Sequence, residues 1–216
     1  MKLINVLSER FVKTLEGPTY KRNIRFFDKE HWFDGVWKTI NQSYRRIPGG
    51  MGDLKKDDNK KKLQNDIFSL IEGFPNDNSM VDEWYQKSIK SLKNKYEKLT
   101  IGTSQKLINM MIKYILTSYY SGGHTDEQLS INLRKNINLI HIPIDEYVLK
   151  NYKKEFKDSK DFIQNKKLGF GKNKSSWSYL ELYSDYEKFQ IKIREKRKEL
   201  YYNSPLELEM DILWKK

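Results

Sequence analysis

The chain has 216 residues, 32% charged, 38% hydrophobic and 13% aromatic, with no cysteine and a formal net charge of +12. That length holds one domain of ordinary size with a real core, and the aromatic content argues against disorder. The lack of cysteine excludes disulfides, a thiol nucleophile, a Cys-ligated zinc and an iron–sulfur cluster, and no run approaches the roughly 20 apolar residues of a membrane span.

The first segment is interrupted by Glu9 and Arg10, so it does not read as a signal peptide, and a cytoplasmic protein is expected. Residues 3–16 read as a helix ending at Gly17-Pro18, with a small β element expected near 19–27. Residues 32–45 carry Trp32, Val36, Trp37, Ile40 and Tyr44 at helical spacing and end at Pro48-Gly49-Gly50. A helix over 54–72 follows Asp53 as a plausible cap and stops at Gly73. Residues 79–98 place Trp84, Tyr85, Leu92 and Tyr96 roughly along one face.

The turn Thr100-Ile101-Gly102-Thr103-Ser104 leads into a strongly apolar helix over about 104–120, broken by Ser121-Gly122-Gly123. A weaker segment, 125–139, reaches His141-Ile142-Pro143-Ile144-Asp145, after which a helix is expected over about 144–156. Residues 150–174 are lysine-rich, and Gly169 and Gly171 make their end loop-like. A long helix is expected over 177–201, with Trp177, Leu180, Tyr183, Tyr186, Phe189 and Ile193 on its apolar side, and a short one from Pro205 to near Trp214. Hairpin signals are absent. The fold class is therefore all-α, a single helical domain over 1–216, undivided or in two lobes with a cleft between them.

The excess positive charge favours phosphate backbones or anionic surfaces, although lysine-rich solvated faces give the same total. His31, His124 and His141 show no metal-ligand spacing, so neither a metal nor a cofactor is expected.

Two stretches stand out. In the helix that opens near Ser104, residues Leu107, Ile108, Met111, Tyr114, Ile115 and Tyr119 form a wide buried face, while Lys106, Asn109 and Lys113 share another. Lys106 is expected in the first turn, where the helix dipole opposes its charge. With apolar neighbours and a second lysine nearby, that would favour an uncharged, nucleophilic amine. The same spacing fits a polar stripe with both lysines solvated. In the second stretch, Asp145 stands at a helix start, either as a capping carboxylate or as one presented to a cleft.

Gln105-Lys106 opening an apolar helix, a glycine-containing break, and then Ile142-Pro143-Ile144-Asp145 opening another helix resembles the helix-hairpin-helix DNA glycosylase superfamily, nearest to its archaeal 8-oxoguanine DNA glycosylase branch. The likeness covers residues 100–149, with a single hairpin glycine, Gly102, where the usual pattern has two. It implies an all-helical, two-lobed enzyme that flips a damaged or modified base out of double-stranded DNA and excises it, in repair or in defence against foreign modified DNA. The Lys role falls on Lys106, with attack on C1′ and a Schiff base, and the assisting Asp role on Asp145. The base pocket would be drawn from Gln105, Asn109, Lys113, His141 and Trp177, with Trp37 and Trp32 as further stacking candidates. The DNA backbone would be held by Gly102, Thr103, Ser104, Lys153, Lys154, Lys172 and Lys174.

Two other readings stand beside it. Arg134 and His141 resemble the Arg–His pair of HEPN-type ribonucleases, which cut RNA without a metal. A non-catalytic basic module that coats nucleic acid needs only the charge.

Overall fold

The computed structural model describes residues 52–120, 127–156 and 177–213, together with Trp37. The expected helix over 3–16, the β element near 19–27 and all but Trp37 of the expected helix over 32–45 lie outside the described residues. No strand occurs among those described, and the elements are helical, as expected of an all-α fold.

A 3₁₀ turn at Gly52–Lys55 leads to α1, Asp57–Glu72, which buries Leu63, Ile67 and Ile71 on one face and stops at Gly73. Asp77 then caps a short 3₁₀ turn, Asn78–Met80, by accepting the Ser79 amide at 2.9 Å. Helix α2, Val81–Lys95, carries Asp82 and Glu83 in its first turn and Lys93 and Lys95 in its last, in the sense the helix dipole favours. Its buried positions, Val81, Tyr85, Ser88, Ile89 and Leu92, repeat at three and four residues.

Helix α3, Ile101–Tyr120, is the axis of the core. Every residue from Ile101 to Leu116 is buried, as expected of a helix surrounded by others and not of one lying on a surface. Helix α4 is Glu127–Lys135 and α5 is Glu146–Glu155. A 3₁₀ turn, Trp177–Tyr179, precedes α6, Tyr183–Glu199. Ser204 caps α7, Pro205–Leu208, and a π turn at Glu209–Leu213 follows it directly. No helix among the described residues is long and apolar enough to cross a membrane.

Helix α1 starts at Asp57 with Lys56, not Asp53, in its cap position, and α2 is shorter than the expected 79–98; three boundaries near the site also differ, each for a local reason. Helix α3 starts three residues early because Thr100 and Thr103 cap one another. Each hydroxyl accepts the other residue's amide, at 2.8 and 3.1 Å, and this satisfies donors that a helix start leaves open. Lys106 thus lies in the second turn, beyond the first-turn reach of the dipole effect. Helix α5 starts at Glu146 because Asp145 is its cap, in extended backbone at φ −141° and ψ −178°. The expected helix over 177–201 is split, because the Leu180 carbonyl accepts the Gly102 amide at 2.9 Å instead of a helical donor, and Leu182 is extended.

Candidate active site

The site is built where three pieces meet: the start of α3, the segment His141–Asp145, and the turn at Trp177. Gly102 allows the first contact. A Cβ there would lie 1.9 Å from the Trp177 carbonyl oxygen, so only glycine lets α3 approach this turn so closely. The Thr100 hydroxyl adds a 2.6 Å bond to the Ser178 carbonyl.

This approach puts the Lys106 ammonium 5.6 Å from the Trp177 ring centroid, within cation–π range. On its other side, Nζ donates to Asp145 Oδ2 at 2.7 Å. The Lys106 side chain is 4% exposed and that of Asp145 is 15% exposed, so solvent reaches the pair from the aspartate side. Asp145 keeps its other oxygen for its own helix, with Oδ1 accepting the Val148 amide at 2.9 Å. Burial pushes the Asp145 carboxyl up. Lys106, through charge and hydrogen bond, together with the Val148 amide outweighs this and holds the carboxyl below the usual range. Asp145 is thus the capping carboxylate of the two sequence alternatives, and its second oxygen pairs with Lys106.

The other two polar positions of α3 also point inward. Asn109 donates to the Gln105 side chain at 2.9 Å, to the Ile142 carbonyl at 3.0 Å and to the Tyr186 hydroxyl at 3.0 Å. Its Oδ1 is buried with no hydrogen-bond partner among the described residues. Lys113 Nζ donates to both carboxylate oxygens of Glu209 at 2.9 Å, with each side chain 1% exposed. The solvated-stripe reading of Lys106, Asn109 and Lys113 is therefore corrected: all three are inside.

His141 sits in a buried cluster joined to the Asn109 network through the Tyr186 hydroxyl. Its ring stacks on Tyr85 with centroids 3.8 Å apart, and Nδ1 lies 2.7 Å from the Tyr186 hydroxyl. Nε2 meets Arg194, and Asp82 Oδ1 at 3.2 Å. Burial, with the nearby Arg194 charge, pushes His141 down to about 4 against the opposing pull of Asp82. Arg134, the other half of the expected ribonuclease pair, lies instead against Tyr119, with its guanidinium 4.7 Å from that ring's centroid.

Several expected contacts are corrected. Gly102, Thr103 and Ser104 were expected on the DNA backbone, but all are buried, and their amides donate to Leu180 O, Thr100 Oγ1 and Thr100 O. A phosphate cannot take donors already used inside the protein. Gln105 and Asn109 likewise spend their amide donors within the protein, on Ile144 and on Ile142, Gln105 and Tyr186, and Trp177 is buried over Lys106. Lys153 and Lys154 are exposed on α5, with Lys154 3.8 Å from Glu155. Lys172 and Lys174 lie outside the described residues. A groove of about 400 Å³ between α2 and the start of α6 is lined by Lys90, Lys93, Ile101, Tyr183 and Glu187, and neither Lys106 nor Asp145 forms its wall.

Sequence reasoning missed Glu209, Gln190, Arg194 and Asp82. Two of these left a signal. Glu209 interrupts the apolar run Leu206, Leu208, Met210, Leu213, and Gln190 sits between Phe189 and Ile193 on the buried side of α6. A polar residue on an apolar face is one that has a buried partner. No protein-family model, no curated protein and no solved structure matches the chain.

Proposed function

We propose that this chain is a DNA glycosylase with lyase chemistry, in which Lys106 is the amine nucleophile and Asp145 the assisting carboxylate. The observation that carries the reading is the 2.7 Å contact between Lys106 and Asp145, which joins residues 39 apart in sequence at the capped start of a helix. The sequence resemblance places the two roles on the same residues, from Gln105-Lys106 opening an apolar helix and Ile142-Pro143-Ile144-Asp145 opening another.

The chemistry follows from the pair. An ammonium is no nucleophile, so its proton must move first, and Asp145 Oδ2 is an acceptor already in contact. Lys106 Nζ then bonds to C1′ of the flipped nucleotide. The bond from C1′ to the base breaks, and the base leaves with that electron pair and takes up the proton that Asp145 received from Lys106, which returns Asp145 to a carboxylate. As positive charge grows at C1′, the Asp145 carboxylate stabilises it in a water-poor setting. Ring opening gives a Schiff base, from which β-elimination releases the 3′ phosphate. In the resting pair the Lys106 charge and the Val148 amide hold this carboxyl below the usual range, and the Val148 amide still favours the carboxylate once the proton has moved on. The Trp177 ring over Lys106 excludes water from the amine.

The net charge of +12 supplies the attraction to a polyanion. The two-lobed arrangement of the glycosylase superfamily belongs to this proposal. Borohydride reduction of a duplex carrying a modified base or an abasic site tests it, since only an amine–aldehyde adduct is fixed covalently by that treatment.

A further inference from the structure

The segment His141–Asp145 belongs to no helix and ends in the extended backbone of Asp145, and two buried glutamines take the place that neighbouring strands would have in a sheet. Gln190, from α6, accepts the Ile142 amide on Oε1 at 3.0 Å and donates Nε2 to the Ile142 carbonyl at 2.9 Å. Gln105, from α3, does the same two residues on. Its Oε1 accepts the Ile144 amide at 3.1 Å and its Nε2 donates to the Ile144 carbonyl at 2.9 Å. Each ring satisfies both backbone groups of one buried residue. Asn109 donates to Gln105 Oε1 at 2.9 Å and fixes which way that amide faces.

The two rings do not have equal consequences. Gln105 directly precedes Lys106 on α3, and Ile144 directly precedes Asp145 on the segment. The ring between Gln105 and Ile144 therefore ties together the backbones on either side of the ion pair, whereas the Gln190 ring acts further back. A shift of the segment by a single residue would turn Asp145 away from α3, because side chains alternate along extended backbone.

We propose that Gln105 is a positioning residue that sets Asp145 in register with Lys106. It reads protein backbone and touches no base. This rests on the proposed function for its catalytic meaning, but the register itself is a property of the folded chain.

The test uses the full chain with Gln105→Met, which keeps the volume and removes the ring. Gln105→Asn keeps a buried amide too short to close the ring, and it carries the test if the methionine variant does not fold. Gln190→Met is the counterpart. Carbon-detected NMR of the Asp145 carboxyl gives a readout independent of activity. Both Gln105 variants are expected to raise the Asp145 titration toward the ordinary aspartate range, while Gln190→Met leaves it depressed. On a duplex oligonucleotide with one abasic site, the Gln105 variants should form the borohydride-trapped adduct about 100-fold more slowly, as for a displacement of about 1 Å, with duplex affinity unchanged. Asp145 remaining depressed in both Gln105 variants, or rising equally in Gln190→Met, overturns the proposal. A parent protein that forms no adduct overturns the enzymatic reading instead, and the Asp145 titration still decides the register.

Discussion

Lys113 and Glu209 meet in the core as a two-pronged ion pair, with Nζ 2.9 Å from each carboxylate oxygen. They pin the π turn at Glu209–Leu213 against α3. Burial pushes the Glu209 carboxyl upward, and Lys113 works against that push. Breaking such a pair strands a charge in the interior, at a cost of about 3–5 kcal/mol, whereas replacing both partners by apolar groups of similar size is far less costly. Lys113→Gln and Glu209→Gln should each lower unfolding stability by about 3 kcal/mol or more, and Lys113→Met with Glu209→Met should recover most of the loss. Urea denaturation of the four proteins measures this, and additive losses would show that the two residues act separately.

Gly102→Ala should be severely destabilising despite the higher helix propensity of alanine. The new methyl would meet the Trp177 carbonyl at 1.9 Å, and that atom is backbone. Either α3 or the turn must move, and overpacking of this kind costs about 1–3 kcal/mol or more. A lower melting temperature, with a changed tryptophan emission spectrum as Trp177 loses its setting, is expected. A variant as stable as the parent would mean that the contact between α3 and the turn is looser than described.

Stability should fall on acidification, beginning above the range of ordinary carboxylates. His141 is pushed from 6.5 down to about 4 in the folded chain. Between those values the unfolded chain binds more protons than the folded one, so stability rises with pH across the window and is lost as pH falls. The slope from this one group approaches about 1.4 kcal/mol per pH unit in mid-window. Asp82 and Asp145, both held low, add losses in the same direction at lower pH. Denaturant melts at a series of pH values should show the slope in the parent, and His141→Phe should flatten it between pH 4.5 and 6. An unchanged slope in that variant would place the titration elsewhere.

Much of the helical order is legible in the sequence because apolar spacing and breakers write it directly. Leu63, Ile67 and Ile71 in α1 and Tyr186, Phe189 and Ile193 in α6 are buried as their spacing predicts. Asp145 and Lys106 are legible as residue types at helix starts. Their partners are not, because each depends on chain pieces far apart: Gln105 on Ile144, Lys113 on Glu209, His141 on Asp82 and Arg194. Gly102 misleads for a physical reason. A glycine at a helix start has the same look whether it admits a phosphate or another backbone, and here a Trp177 carbonyl fills the space.

The two enzyme classes separate on one panel of variants. Asp145→Asn removes the charge opposite Lys106 and should reduce base excision at least 100-fold, while His141→Ala, whose ring meets Tyr85, Tyr186, Asp82 and Arg194 and not the pair, keeps part of it. A ribonuclease using Arg134 and His141 would lose RNA cleavage with either alanine variant and ignore Asp145. Base-excision and RNA-cleavage assays on the same preparations decide between them, and RNA cleavage that tracks His141 alone would contradict the glycosylase reading.

The most direct measurement is borohydride trapping of Lys106→Gln on duplex oligonucleotides carrying 8-oxoguanine or an abasic site, beside the parent. The matched control is Lys150→Gln, an exposed lysine of α5, since Lys113 is committed to Glu209. A covalent adduct and strand nicking are expected with the parent and with Lys150→Gln. Neither is expected with Lys106→Gln, whose duplex affinity stays close to that of the parent because one charge among many is lost. An adduct of undiminished yield in Lys106→Gln would contradict the assignment of the nucleophile, and with it the central claim.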